Sequence, residues 1–220
     1  MNWYKAAAKN AVSVTSEGFG AMTREEKVAL ARNERITPET QRLFFTEDYA
    51  DKDQNYQVLW YLARNPSITP ATQRLFFTEE YGNKSQFLCE LAWNRSVHPE
   101  VQRLFFTESY EGTWDVLLRL AVNPYITPET QRLFITESYQ GKSEILTFLA
   151  RNESIHKEIQ LLLFTEEYEK KDWALWMLAK NENFLRDFTR DELLQIKKVA
   201  RGAGKLHVLS KRLKQIAGVP

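Results

Sequence analysis

Six copies of the tetrapeptide Leu-Ala-x-Asn mark the chain: LARN (30–33), LARN (62–65), LAWN (91–94), LAVN (120–123), LARN (149–152) and LAKN (178–181). The asparagines Asn33, Asn65, Asn94, Asn123, Asn152 and Asn181 stand 32, 29, 29, 29 and 29 residues apart. A second block follows each of the first five: ITPETQRLFFTEDY (36–49), ITPATQRLFFTEEY (68–81), VHPEVQRLFFTESY (97–110), ITPETQRLFITESY (126–139) and IHKEIQLLLFTEEY (155–168). A fixed period of this length confines the chain to repeat architectures, in which each unit buries its apolar side only against its neighbours.

Each unit reads as two helices, A and B. Thr37, Thr69 and Thr127 precede proline, which puts a hydroxyl at the N-cap and Pro38, Pro70 and Pro128 at the first helical position, where a missing N–H costs nothing. Glu39, Glu100 and Glu129 then favour the positive end of helix B. Leu43, Phe44 and Phe45 cover three consecutive azimuths and Tyr49 follows four residues after Phe45, so helix B must be sandwiched between neighbouring units. On helix A the stripes Phe87-Leu88-Leu91-Ala92, Val116-Leu117-Leu120-Ala121 and Ile145-Leu146-Leu149-Ala150 lie on one face. Ser85, Thr113, Ser143 and Asp172 suit its N-cap, and the recurring asparagine suits a left-handed C-terminal cap. The three extra residues of the first interval fall in Ala50–Tyr56, expected between helices and inside neither.

These signals predict an all-α chain, an α-solenoid of about five helix pairs. It is read as one continuous domain with an N-terminal cap over 1–29, repeats over 30–181 and a C-terminal cap and basic tail over 182–220. Hydrophobic residues at 43% and charged residues at 27% exclude disorder over most of the chain. The overall charge of +1 is unevenly spread: the span 195–220 holds seven basic residues and no acid, leaving −6 for residues 1–194. A single cysteine, Cys89, rules out an intramolecular disulfide. The N-terminal MNWYKAAAKNAVSV lacks the apolar core of a signal peptide, and no apolar run is long enough to span a bilayer. A cytoplasmic protein with no membrane contact is therefore expected.

At LARNPSITPAT (62–72) and LAVNPYITPET (120–130) the chain resembles the leucine-rich repeat variant, a bacterial helical-repeat family. The likeness covers about ten residues per unit across 30–181 and implies a right-handed superhelix of short helix pairs. The unit is longer than that family's and closer to HEAT-like arrays, and the family's N-terminal cysteine cluster for an iron–sulfur centre is missing. Members share no single activity, so the resemblance speaks to architecture.

Candidate chemistry is sparse. Gly141-Lys142-Ser143 lacks the earlier glycine of a phosphate-binding loop, since Thr136 stands there, and aligns with the linkers at 82–85 and 111–114. His98 and His156 occupy the slot of the capping threonines and read as weaker caps, and His207 stands apart from both. Gln41-Arg42 recurs at Gln73-Arg74, Gln102-Arg103 and Gln131-Arg132, alongside Glu47, Glu79, Glu108, Glu137 and Glu166. It reads as a ladder in which arginines meet glutamates of a neighbouring unit, with anion binding as the competing reading. Trp114-Asp115 and Asp172-Trp173 offer residue types used by helical-repeat DNA glycosylases, but base extrusion needs a positive groove and the body is acidic.

Variation between repeats is the remaining signal. Aligned helix A positions hold Trp60, Cys89, Leu118, Thr147 and Trp176; then Tyr61, Glu90, Arg119, Phe148 and Met177; then Arg64, Trp93, Val122, Arg151 and Lys180. Some of these complete the core and others are free to anchor an interface. Trp60, Tyr61, Trp93, Arg119, Phe148, Arg151 and Trp176 are the candidate contacts of a non-enzymatic binding scaffold: an adaptor, inhibitor or immunity-type protein. It is expected to bind another protein, without cofactor or metal. Nucleic-acid binding through the arginine ladder and the basic tail, a helix around Leu206, Leu209, Leu213 and Ile216, is the alternative.

Overall fold

The computed structural model describes residues 11–45, 52–78, 84–107, 112–165, 171–189, 191–194 and 196, with the side chains of 52–55 excepted. Besides helical residues at 191–194 and 196, the described residues include twelve helices: α1 (Ser16–Gly20), α2 (Arg24–Ala31), α3 (Pro38–Leu43), α4 (Lys52–Arg64), α5 (Pro70–Thr78), α6 (Lys84–Trp93), α7 (Pro99–Thr107), α8 (Thr113–Val122), α9 (Pro128–Thr136), α10 (Lys142–Arg151), α11 (Lys157–Thr165) and α12 (Lys171–Lys180). From α2 onward helices A and B alternate. The fold is an all-α helical repeat of the α-solenoid class. The chain divides into two compact units, residues 1–119 and 120–220, with the division inside α8.

Within the first unit, helix A packs on helix A (α2 on α4, α4 on α6) and helix B on helix B (α3 on α5, α5 on α7). The second unit repeats the scheme, α10 on α12 and α9 on α11. The Leu-Ala stripes make the first seam: Val58, Leu59, Leu62, Ala63, Phe87, Leu88, Leu91 and Ala92 are all buried, as are Ile145, Leu146, Leu149 and Ala150. The first phenylalanine slot of helix B makes the second, since Phe44, Phe76, Phe105 and Phe134 are fully buried and Leu163 fills the slot in the fifth repeat. The second slot reaches the next repeat. Phe45 meets Phe76 edge-on at 5.0 Å and Phe77 meets Phe105 at 5.0 Å, the arrangement aromatic quadrupoles favour. Helix B is sandwiched, as its apolar circumference requires.

The Thr-Pro starts form as read: Thr37 and Thr127 accept through their hydroxyls from the N–H groups of Thr40 and Thr130, with proline following. Thr69 does the same for Thr72, and His98 substitutes weakly, its Nδ1 accepting from Glu100 N–H at 3.4 Å. Helix α2 opens on a capping box between Thr23 and Glu26.

Within each unit, two buried amides hold repeats to their neighbours. Asn94 Nδ2 donates to the carbonyls of Ala63 (2.8 Å) and Asn65 (2.9 Å) of the preceding repeat, while its Oδ1 accepts from Ser96 N–H at 2.8 Å. Asn65, Asn152 and Asn181 repeat these bonds. Gln73 works towards the following repeat: Nε2 donates to Ile68 O (3.2 Å) and Ser96 O (2.9 Å), and Oε1 accepts from His98 N–H (2.9 Å). Gln41 and Gln131 match it. Buried side chains thereby satisfy main-chain groups that the turns leave unpaired.

Ahead of the first repeat there is no glutamine, and the main chain of Val12 takes its place. Val12 N–H donates to Arg35 O at 2.8 Å, and Val12 O accepts from Thr37 N–H at 3.0 Å and from the Thr40 hydroxyl at 3.5 Å. Each of these bonds copies one made by the Gln41 amide to Ser67, Thr69 and Thr72.

Three local expectations are corrected. The asparagine is not a left-handed cap: among the described residues Leu185 alone of the non-glycines has positive φ, and Asn152 is extended at φ −61°. Its amide is committed to the preceding repeat instead. Ser85, Thr113, Ser143 and Asp172 are not N-caps but lie inside the first turn of helix A, which begins one residue earlier except at Thr113, the first residue of α8. Gly141 caps α10 in the left-handed region at φ 72°, and Gly112 precedes α8 at φ 76°, where a Cβ would also approach Ser85 Cβ to 2.8 Å. Lysines at the helix starts turn back to the end of helix B: Lys84 Nζ donates to Phe77 O, and Lys142 Nζ to the carbonyls of Ile135 and Glu137. Third, the insertion enters a helix. Helix α4 has 13 residues where α6, α8, α10 and α12 have 10, because the polar stretch from Lys52 adds nearly one more turn with nothing to interrupt it.

Candidate functional site

With the core stripes turned inward, each helix A leaves a row at spacing i, i+3, i+4, i+7 on its other side, in α4 the positions of Gln57, Trp60, Tyr61 and Arg64. In the first unit this row carries a continuous stack. Arg64 Cζ lies 4.4 Å from the Trp60 ring centroid, Trp60 meets Tyr61 edge-on at 4.9 Å, and Arg32 Cζ from α2's C-cap lies 4.9 Å from the Tyr61 ring. Trp60 and Tyr61 are half-buried, so each ring lends part of its surface to its neighbours and part to solvent. Trp93, in the register of Arg64 one repeat on, is 47% exposed. Glu90 sits 3.6 Å from Arg64 Nε. Cys89, aligned with Trp60, has its thiol pushed up to about 11, first by burial and then by Asp115, which favours the protonated form near neutrality. Arg119 is exposed on α8.

The second unit carries the same combination. Lys180 Nζ lies 3.4 Å from the Trp176 centroid, and Trp173, 60% exposed, meets Trp176 edge-on at 5.6 Å. Phe148 is half-buried and Arg151 exposed on α10. Of the seven candidate residues, Trp60 and Tyr61 are in direct contact. Trp93, Arg119, Phe148, Arg151 and Trp176 occupy the same row on other helices.

The arginine ladder takes a form different from the one expected. Arg74 pairs with Glu100, and Arg132 with Glu158 at 2.6 Å, each glutamate lying in the first turn of the next helix B. The recurring Glu137 is not the partner of either, and Glu47, Glu79, Glu108 and Glu166 lie outside the described residues. So do His207 and the basic tail from residue 197 on.

Three exposed aromatics escape a search for variable columns: Trp114 on α8, Trp173 on α12 and Tyr125 in a turn. The second unit also holds an open cleft of about 790 Å³ between the turn at Glu153–Glu158 and Asn183–Glu192. Its polar lining is tied together by Lys157–Glu192 at 2.6 Å and by Asn183 Nδ2 donating to Glu153 O at 2.7 Å. The Glu192 carboxyl is held down to about 2, mainly by its hydrogen bonds from Lys157 and the Thr189 N–H. No local motif marks this cleft, because its walls come from segments some 30 residues apart. Among the described residues no group of three His, Cys, Asp or Glu is placed to hold a metal ion, and no helix is long and apolar enough to cross a membrane. No protein-family model matches the chain, and comparison with curated proteins and solved structures gives no match either.

Proposed function

We propose that this protein is a non-enzymatic interaction scaffold that binds another protein through the outer row of its A helices. The observation that carries the reading is the division of labour along helix A. Repeated Leu, Ala and Asn are consumed by packing and by hydrogen bonds to adjacent repeats, whereas the outer row changes from repeat to repeat and leaves Trp93 and Trp173 47% and 60% exposed. Exposed Trp, Tyr and Arg are the side chains that concentrate interface energy. The pairing of Arg74 and Arg132 with glutamates takes charge away from the nucleic-acid alternative. A native-lysate pull-down with and without nuclease, read by mass spectrometry, is expected to return a nuclease-insensitive protein partner. Trp93→Ala and Phe148→Ala, one in each unit, are then measured against that partner. At least one should lower affinity by roughly 30-fold, the equivalent of about 2 kcal/mol. Unchanged affinity in both folded variants moves the site off the A helices, and turnover of any substrate overturns the non-enzymatic reading.

A further inference from the structure

The stack in the first unit has a chemistry more specific than exposed hydrophobicity. Its order is Arg32, Tyr61, Trp60, Arg64: two rings in contact with each other, each covered by one guanidinium. A guanidinium resting on a ring engages through its flat face, and its five N–H donors radiate from its edge in the geometry that fits a carboxylate. Arg32 makes no ion pair among the described residues. The ion pair of Arg64 with Glu90, Nε to Oε2 at 3.6 Å, is too long for a hydrogen bond. The rings hold both cations in place, so little side-chain entropy is left to lose on binding.

Charge along the row is also ordered. Acids stand in the first turns of α2 (Glu25, Glu26) and α8 (Asp115), while Arg32, Arg64 and Arg119 stand at the C-terminal ends of α2, α4 and α8. The row is therefore cationic at one end only, and Glu90 lies within it. A nucleic-acid strand, uniformly charged along its length, would meet those acids, and residues 1–119 carry 14 basic against 16 acidic side chains. A ligand with a few carboxylates beside apolar side chains complements the row.

We propose that this face of the first unit takes an acidic segment of a partner protein, its carboxylates on Arg32 and Arg64 and its apolar side chains on Trp60, Tyr61 and Trp93. The inference rests on the A-helix reading above and names the chemistry of what binds there. In the second unit Trp176 and Lys180 stand in the register of Trp60 and Arg64, four repeats on, so the pairing of a cation with a ring recurs.

The test is selection of phage-displayed short random peptides on the immobilised full-length chain, with counter-selection on a Trp60→Ala/Trp93→Ala variant whose helicity is intact by circular dichroism. The selected peptides are then synthesised with a fluorophore and titrated by anisotropy beside their Glu-to-Lys counterparts and oligothymidylate. The expected result is enrichment of Asp and Glu among apolar residues, and a loss of roughly tenfold or more for Arg32→Ala, Arg64→Ala or the charge-reversed peptide. Peptides without acidic enrichment that depend on Trp60 and Trp93 but not on the arginines overturn this inference and leave the A-helix reading intact. Peptides that bind the double-tryptophan variant equally well overturn this inference. Failure to enrich any peptide, or tighter binding of oligothymidylate, overturns the acidic-segment proposal, and the lysate partner's dependence on Trp93 and Phe148 then judges the broader reading separately.

Discussion

The turn from helix A to helix B and the outer row of helix A lie a few residues apart in every repeat, yet they obey opposite rules. In the turn, Asn65, Asn94, Asn152 and Asn181 spend their side-chain amides on main-chain carbonyls of the preceding repeat, and from the start of helix B Gln41, Gln73 and Gln131 spend theirs on the following one. In the outer row, the position of Trp60 holds Cys89, Leu118, Thr147 and Trp176 in successive repeats. A side chain that serves a neighbour's main chain meets the same geometry every 29 residues, whatever the other side chains are, so its identity recurs. A side chain that serves no such group is released from that constraint. Repetition in this chain thus follows a fixed partner, either a neighbour's backbone or the buried seam between helices, and variation follows where neither is present.

The comparison can be broken by mutation, beginning where the loss should be greatest. Phe76→Ala empties a fully buried slot beside Phe45 and Phe87 and should cost about 3–5 kcal/mol in urea unfolding. Next comes Asn94→Ala, which strips donors from the carbonyls of Ala63 and Asn65. A loss of about 2–3 kcal/mol is expected, and a loss below that of a surface substitution would mean the amide brackets do not stabilise the array. Thr69→Ala removes one helix cap and should lower stability by about 1 kcal/mol, visible as a small shift of the same midpoint. Smallest of all, Trp93→Ala should change stability by no more than about 0.5 kcal/mol, since nearly half the side chain already faces water. A cost for Trp93 approaching that of Phe76 would erase the distinction between the two regions.

Much of this was legible in the residues. The Leu-Ala stripe, the Thr-Pro helix starts and the buried first phenylalanine all follow from local periodicity and capping chemistry, which a sequence displays directly. Asn94 departs from the local reading for a physical reason: an asparagine after a helix fits a left-handed cap by local rules, while its partners lie 29 and 31 residues away. Nothing local points to Lys84 and Lys142, because a lysine donating to the end of the preceding helix leaves no composition signal. The insertion before Tyr56 looked like a loop because interruptions tolerate loops best, but a polar stretch free of glycine and proline extends a helix as readily. In the outer row the variable columns were visible. The stacking of Arg32 on Tyr61 was not, since it joins two helices.

Val12 shows what the first repeat asks of whatever precedes it. Its peptide supplies one N–H and one C=O where later repeats use a glutamine amide, and those two groups belong to every amino acid except proline, which lacks the donor. The main-chain part of this closure carries almost no sequence requirement, so what specificity the edge has rests on the buried side chains of Val12 and Phe19, the latter edge-on to Phe44 at 4.9 Å.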